Sequence, residues 1–208
     1  MTNLIAKHGG YQNLKSFQMA EIVFDLTMLF CKQFITSFKL KEQIEGAARS
    51  GKQNISEGSQ TSGTSKQSEL RLLDVARASF EELLNDYKDF LRANNLSKWP
   101  KDDERVLAIR QLAYKTNRTY ETYKTYMTNS ESAANCVLCV IHQANFLLDQ
   151  QLRALEIEFK QKGDFKDRLR EQKKEKLLDN NDKLKEIFKA FKLKRLENGR
   201  VVKDEEDE

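Results

Sequence analysis

This 208-residue chain has one proline, Pro100, and eight glycines. So few turn formers leave little material for a many-stranded sandwich or barrel. Its three cysteines are an odd number, which disfavours a disulfide framework. Hydrophobic residues make up 39% of the chain, below the roughly 45–50% usual in globular domains. No stretch of about 18 apolar residues exists, so no membrane span is expected. Two histidines, His8 and His142, leave most acid–base chemistry without its usual residue. Walker A, G-x-G-x-x-G, H-E-x-x-H and nucleophile-elbow patterns are all missing, so no cofactor and no enzymatic activity are expected. Residues 1–10 carry no apolar run of the secretory kind, and a reducing cytoplasm with free thiols is the expected setting.

What the chain has is charge: 33% of it is Asp, Glu, Lys or Arg, for a net +4. The charge is uneven. Residues 160–203 hold sixteen Lys and Arg against eight Asp and Glu, a net +8, and residues 204–208 are all acidic. The remainder is nearly neutral. A basic segment attracts polyanions through counterion release. It is equally what a solvated helix needs to stay in solution.

Apolar residues recur at helical spacing through most of the chain. A first helix is expected from Leu14 to about Ser37, on Phe17, Ala20, Phe24, Thr27, Cys31 and Phe34, with Val23, Leu26 and Phe30 widening the stripe as a core-facing helix requires. A second runs from Lys39 to Glu57, with Gly58 as a left-handed C-terminal cap. Ser65 caps a third, residues 66–93, whose Leu70, Leu73, Phe80, Leu84, Tyr87 and Leu91 step by three and four. Trp99-Pro100 is a helix stop, and Asp102 or Asp103 caps a fourth helix from Glu104 to about Met127. Asn129-Ser130 is a break. A fifth helix from about Ser132 to Lys162 carries a heptad seam of Leu138, Ile141, Asn145, Leu148, Leu152, Leu155 and Phe159, closed by Gly163. Residues 165–196 are charged and helix-prone, with a weaker pattern at Leu177, Leu184, Ile187, Phe188 and Phe191.

Several residue groups invite a chemical reading. Helices joined by a short loop run antiparallel and touch, so Glu57 and Arg77 are expected to meet near the interior as a structural ion pair. Cys136-Val-Leu-Cys139 and His142 supply three metal-ligand types on one helix, but a structural zinc needs four that converge. They read as buried thiols packing as small hydrophobes. Asn145 in an apolar seam suits a register and oligomer-state role, with a solvent-lined groove as the alternative. Tyr114 to Tyr126 interleaves tyrosines with Lys115, Arg118 and Lys124, a pattern able to stack bases, although Tyr120 and Tyr123 fall on the inner stripe. Lys39, Lys41, Arg49 and Lys52, with Lys66 and Arg71 across the loop, form a modest basic patch that Glu42 and Glu45 partly cancel. Lys173 and Lys174 extend the candidate nucleic-acid contacts into the tail.

Gln43-Ile-Glu-Gly-Ala-Ala-Arg49-Ser50-Gly-Lys-Gln-Asn54-Ile55-Ser-Glu57-Gly58 resembles the signature segment of the family of ribosomal-RNA intervening-sequence proteins and the accessory variability proteins of diversity-generating retroelements. Val75-Ala76-Arg77-Ala78-Ser79-Phe-Glu-Glu82-Leu83 is similar to the same family's third-helix segment, so the resemblance covers about Gly10 to Met127. The stretch from Ala134 through Cys136, Cys139, His142, Gln143, Asn145, Asp149, Gln151 and Arg153, continued by Gly163-Asp-Phe165 and 168–170, resembles the suffix that follows the bundle in one subfamily. The resemblance implies an all-α protein: an antiparallel up-down four-helix bundle over residues 1–128, a long suffix helix over 129–163 and a charged helical or disordered tail over 164–208. It implies a non-catalytic homo-oligomer, pentameric in the best-understood members, that binds RNA or DNA and a reverse transcriptase through a basic surface. Where many members carry consecutive basic residues, this chain has Glu45-Gly46, which shifts such a role toward Arg49, Lys52 and the basic tail. The alternative is a protein–protein interaction module that recruits its partner with helix five and the tail.

Overall fold

The computed structural model describes residues 9–203 except 196 and 198. The acidic tip, His8 and most of the expected irregular start lie outside the described residues. The chain is mostly helical and divides into two compact units, one running through Asp164 and the other beginning at Phe165.

The first unit contains α1 (Lys15–Phe34), α2 (Phe38–Thr61), α3 (Lys66–Ala93), α4 (Glu104–Leu112), a 3-10 segment (Tyr120–Tyr126) and α5 (Ser130–Lys162). Each of the four long helices packs on two others: α1 on α2, α2 on α3, α3 on α5, and α5 on α1. Their apolar stripes meet in one core that includes Met19, Leu26, Phe30, Ile44, Ile55, Leu73, Phe80, Leu83, Tyr87, Ile141 and Leu148. Phe30 stacks edge-on against Tyr87 and Phe90 at 4.8 and 4.9 Å between ring centres. Tyr87 donates its hydroxyl hydrogen bond to Thr27 at 3.2 Å, so this fully buried phenol keeps a partner.

The helix boundaries follow local chemistry. Ser65 accepts from the Ser68 amide, Asp103 from Arg105 and Asn129 from Ser132, each satisfying an orphan donor in a first turn. Gly163 ends α5 at φ 62°, where a side chain would be strained.

Two expectations need correction. Gly58 does not cap α2; it is buried within the helix, and a Cβ there would reach Leu72, Leu73 and the Glu69 carbonyl. Nor is there one helix from Glu104 to Met127. α4 stops at Leu112, because the Lys115-Thr-Asn-Arg-Thr119 run is poor in helix formers and Asn117 turns into the left-handed region at φ 53°. It is α5 that packs on α1 and α3 within its own chain's core, in one compact unit with α1 to α3. Residues 133–141 are buried without interruption, because α4 and the 3-10 segment cover the side of α5 that α1 and α3 leave open.

The second unit contains α6 (Phe165–Ala190) and a short antiparallel pair, β1 (Leu193–Arg195) and β2 (Val201–Lys203), with Lys194 opposite Val202. The expectation over this stretch was a helical or disordered tail, and the helix ends at Ala190. Beyond it Lys192 turns at φ 49° and Gly199 at φ 82°, and the chain doubles back.

Candidate functional site

The Gln43–Gly58 stretch of α2 packs closely on its neighbour. Ala47, Ala48, Gly51, Ile55 and Gly58 are buried, and Gly51 and Gly58 lie against α3. A Cβ on Gly51 would stand 2.4 Å from the Phe80 ring, whereas one on Gly46 would meet nothing. The polar members serve the same contact. Ser50 and Ser79 hydroxyls bond across the helices at 2.9 Å, and Asn54 donates to the Ser50 carbonyl at 2.8 Å.

Glu57 and Arg77 do not pair. Glu57 is exposed and accepts from Gln53 at 3.1 Å. Arg77 instead bonds Glu81 one turn on and reaches α5, where its Nε donates to Asp149 at 3.0 Å. The correction has a geometric cause: Arg77 lies on the face of α3 turned to α5, away from the α2 contact. Burial works against its charge, yet the bonds to Glu81 and Asp149 win and hold its pKa above the ordinary arginine value. Asn145 belongs to the same cluster. It is buried and donates to Glu81 at 3.3 Å, while its Oδ1 has no hydrogen-bond partner. Its neighbour is on its own chain, in the α3–α5 seam.

The eight candidate nucleic-acid cations fall into two groups. Lys41 pairs with Glu45 at 3.7 Å, and Lys66 pairs with Glu69 at 3.0 Å and Glu158 at 3.4 Å. Lys52 lies over the Phe24 ring at 4.0 Å. These three are engaged by their own fold. Lys39, Arg49, Arg71, Lys173 and Lys174 are exposed. The second unit carries its cations outward: Lys166, Arg170, Lys176, Lys189, Arg195 and Lys203 are exposed as well. Its apolar residues are also poorly covered, with Leu177, Leu184, Ile187 and Phe191 each about half or more exposed.

Cys31, Cys136 and Cys139 are free and buried. Burial pushes the Cys31 thiol up to about 12 and the Cys139 thiol to about 11, with Cys136 raised too. His142 is lowered by its partial burial and then by Lys88. No group of three or more His, Cys, Asp or Glu among the described residues is placed to hold a metal ion. In the aromatic stretch, Tyr123 is fully buried, Tyr120 and Tyr126 are half-buried, and Tyr114 is exposed.

One structural cluster gave little sequence signal. Asn135 accepts from the Trp99 amide at 2.8 Å and donates to the Ser97 carbonyl at 2.8 Å, while Glu131 accepts from the Trp99 indole at 3.0 Å. Arg105 stacks on that indole at 3.9 Å. Together they fasten the α3–α4 connection to α5.

Compared with family models, curated proteins and solved structures, this chain finds no match.

Proposed function

We propose that this chain is a non-catalytic, oligomeric helical scaffold that associates with nucleic acid or a ribonucleoprotein. In this reading α1, α2, α3 and α5 are the antiparallel up-down four-helix bundle of the family the signature segment resembles. Its copies assemble as in that family, with a pentamer as the expected number. The partner is RNA or DNA, with a reverse transcriptase as the protein neighbour. The observation that carries the proposal is the contrast in cation use: Lys41, Lys52 and Lys66 are occupied within the fold, while Lys173, Lys174 and most neighbouring cations of the second unit are turned to solvent. Exposed cations on a positively charged segment are what phosphate contact requires.

Anisotropy titrations of labelled single-stranded RNA and DNA at rising salt test it. Affinity should fall linearly with the logarithm of salt, and a Lys173→Ala/Lys174→Ala variant should lower the slope by roughly 1–2. Salt-insensitive binding, or none, would count against the reading. The exposed apolar residues of α6 favour a second reading, recruitment of a protein partner without nucleic acid. A specific partner that stays bound after nuclease treatment would support it.

A further inference from the structure

A cavity of about 670 Å³ lies between α1, α5, the end of α4 and the segment that follows it, a size typical of sites for small organic ligands. Its floor is apolar, with Met19 and Leu147. Its charged lining is of one sign: Lys15, Arg110 and Arg118 contribute positive charge, His142 lies beside them, and no carboxylate lines it among the described residues. Both arginines are held in place through backbone carbonyls, Arg110 by Lys101 at 3.1 Å and Arg118 by Ala113 at 2.7 Å. Gln143 also lines the cavity. Neither its amide nitrogen nor its amide oxygen has a hydrogen-bond partner, and the Arg118 Nε is likewise unpartnered.

Buried polar groups are ordinarily satisfied. Here the residues carrying three unsatisfied atoms line one cavity together with Met19, Leu147 and three cations. We propose that this cavity binds a small amphiphilic anion, a carboxylate on a short apolar body. The apolar body lies over Met19 and Leu147. The carboxylate is held by Arg118, with Arg110 and Lys15 adding charge, because a guanidinium fork matches carboxylate geometry. Gln143 lies beside the polar end. The site belongs to the first unit and does not depend on the nucleic-acid reading.

Octanoate, octanol and inorganic phosphate, titrated separately into the full-length protein by calorimetry, test the proposal. Methyl NMR of the methionines reports where each one binds. Octanoate should bind one per chain and shift the Met19 methyl, leaving Met28 unmoved. Octanol and phosphate should each bind at least about tenfold more weakly, since each lacks one half of the recognition. Arg118→Ala should weaken octanoate about tenfold or more and leave octanol unchanged. Arg110→Gln provides the same contrast should the first variant fail to fold. Equal affinity for octanoate and octanol, no Met19 shift, or octanoate binding that neither arginine variant weakens would overturn the site.

Discussion

The two units use the same kinds of residue to opposite ends. Through Asp164, apolar stripes face one another, and Leu26, Phe30, Phe80 and Leu83 lose all contact with water. From Phe165 on, a comparable stripe has little to cover it, and Phe191 is 68% exposed. Charge follows the same division. Both units pair cations with carboxylates, but Arg77 and Lys66 are half-buried where they pair, while Lys183 and Lys185 pair at the exposed surface of α6. Burial and pairing make the first unit a self-sufficient core. The second leaves much of its apolar and basic surface exposed.

Phe80→Ala should remove about 3–5 kcal/mol in denaturant unfolding, because the ring fills the space between α2 and α3. Phe191→Ala should change stability by less than about 0.5 kcal/mol. Equal costs would erase the division between the units. A second contrast lies within one helix. Gly51→Ala should destabilise by about 1–3 kcal/mol, since its Cβ would collide with the Phe80 ring. Gly46→Ala, with open space around it, should stabilise by about 0.5–1 kcal/mol through helix propensity. The thermal midpoints of the two variants should therefore move in opposite directions.

Asn145→Leu should raise stability by about 1 kcal/mol, because it removes an unsatisfied buried oxygen while Glu81 keeps Arg77. Its mass by light scattering should not change, since Asn145 bonds within its own chain. A loss of stability would mean that the Asn145–Glu81 bond holds the α3–α5 register. A further contrast, between folded and unfolded thiols, is one of pH. Unfolded thiols titrate near about 8.5, while burial holds Cys31 to about 12. The unfolded state alone therefore releases these protons as pH rises above that range. Stability should be full below about pH 8.5 and decline on the way to 12, as guanidinium midpoints across a pH series will register. At pH 8 a disulfide reagent should label all three thiols only after unfolding.

Much of the architecture was legible in the sequence. The stripes of α1, α3 and α5, and the stops at Ser65, Asp103, Asn129 and Gly163, are local signals, and local chemistry decided them. Failures came where the outcome rested on a distant neighbour. Gly58 reads as a cap in isolation, yet it is retained inside α2 because α3 comes close. Arg77 has carboxylates on several sides, and its choice of Glu81 and Asp149 depends on which helix lies against that face. The cavity was not legible at all. Lys15, Arg118 and Gln143 are far apart in sequence, and only the path of residues 113–120 brings them together.

That path has a consequence of its own. The excursion from α3 to α5, residues 94–129, has two parts: Trp99, Val106, Ile109, Tyr123 and Met127 are buried in the core, while residues 114–117 are exposed. The excursion is fastened at its root by Trp99 and Asn135 and is free to vary at its tip around Asn117. Natural variation or laboratory evolution can therefore rewrite that tip, and whatever it encloses, while the helices beneath keep their form.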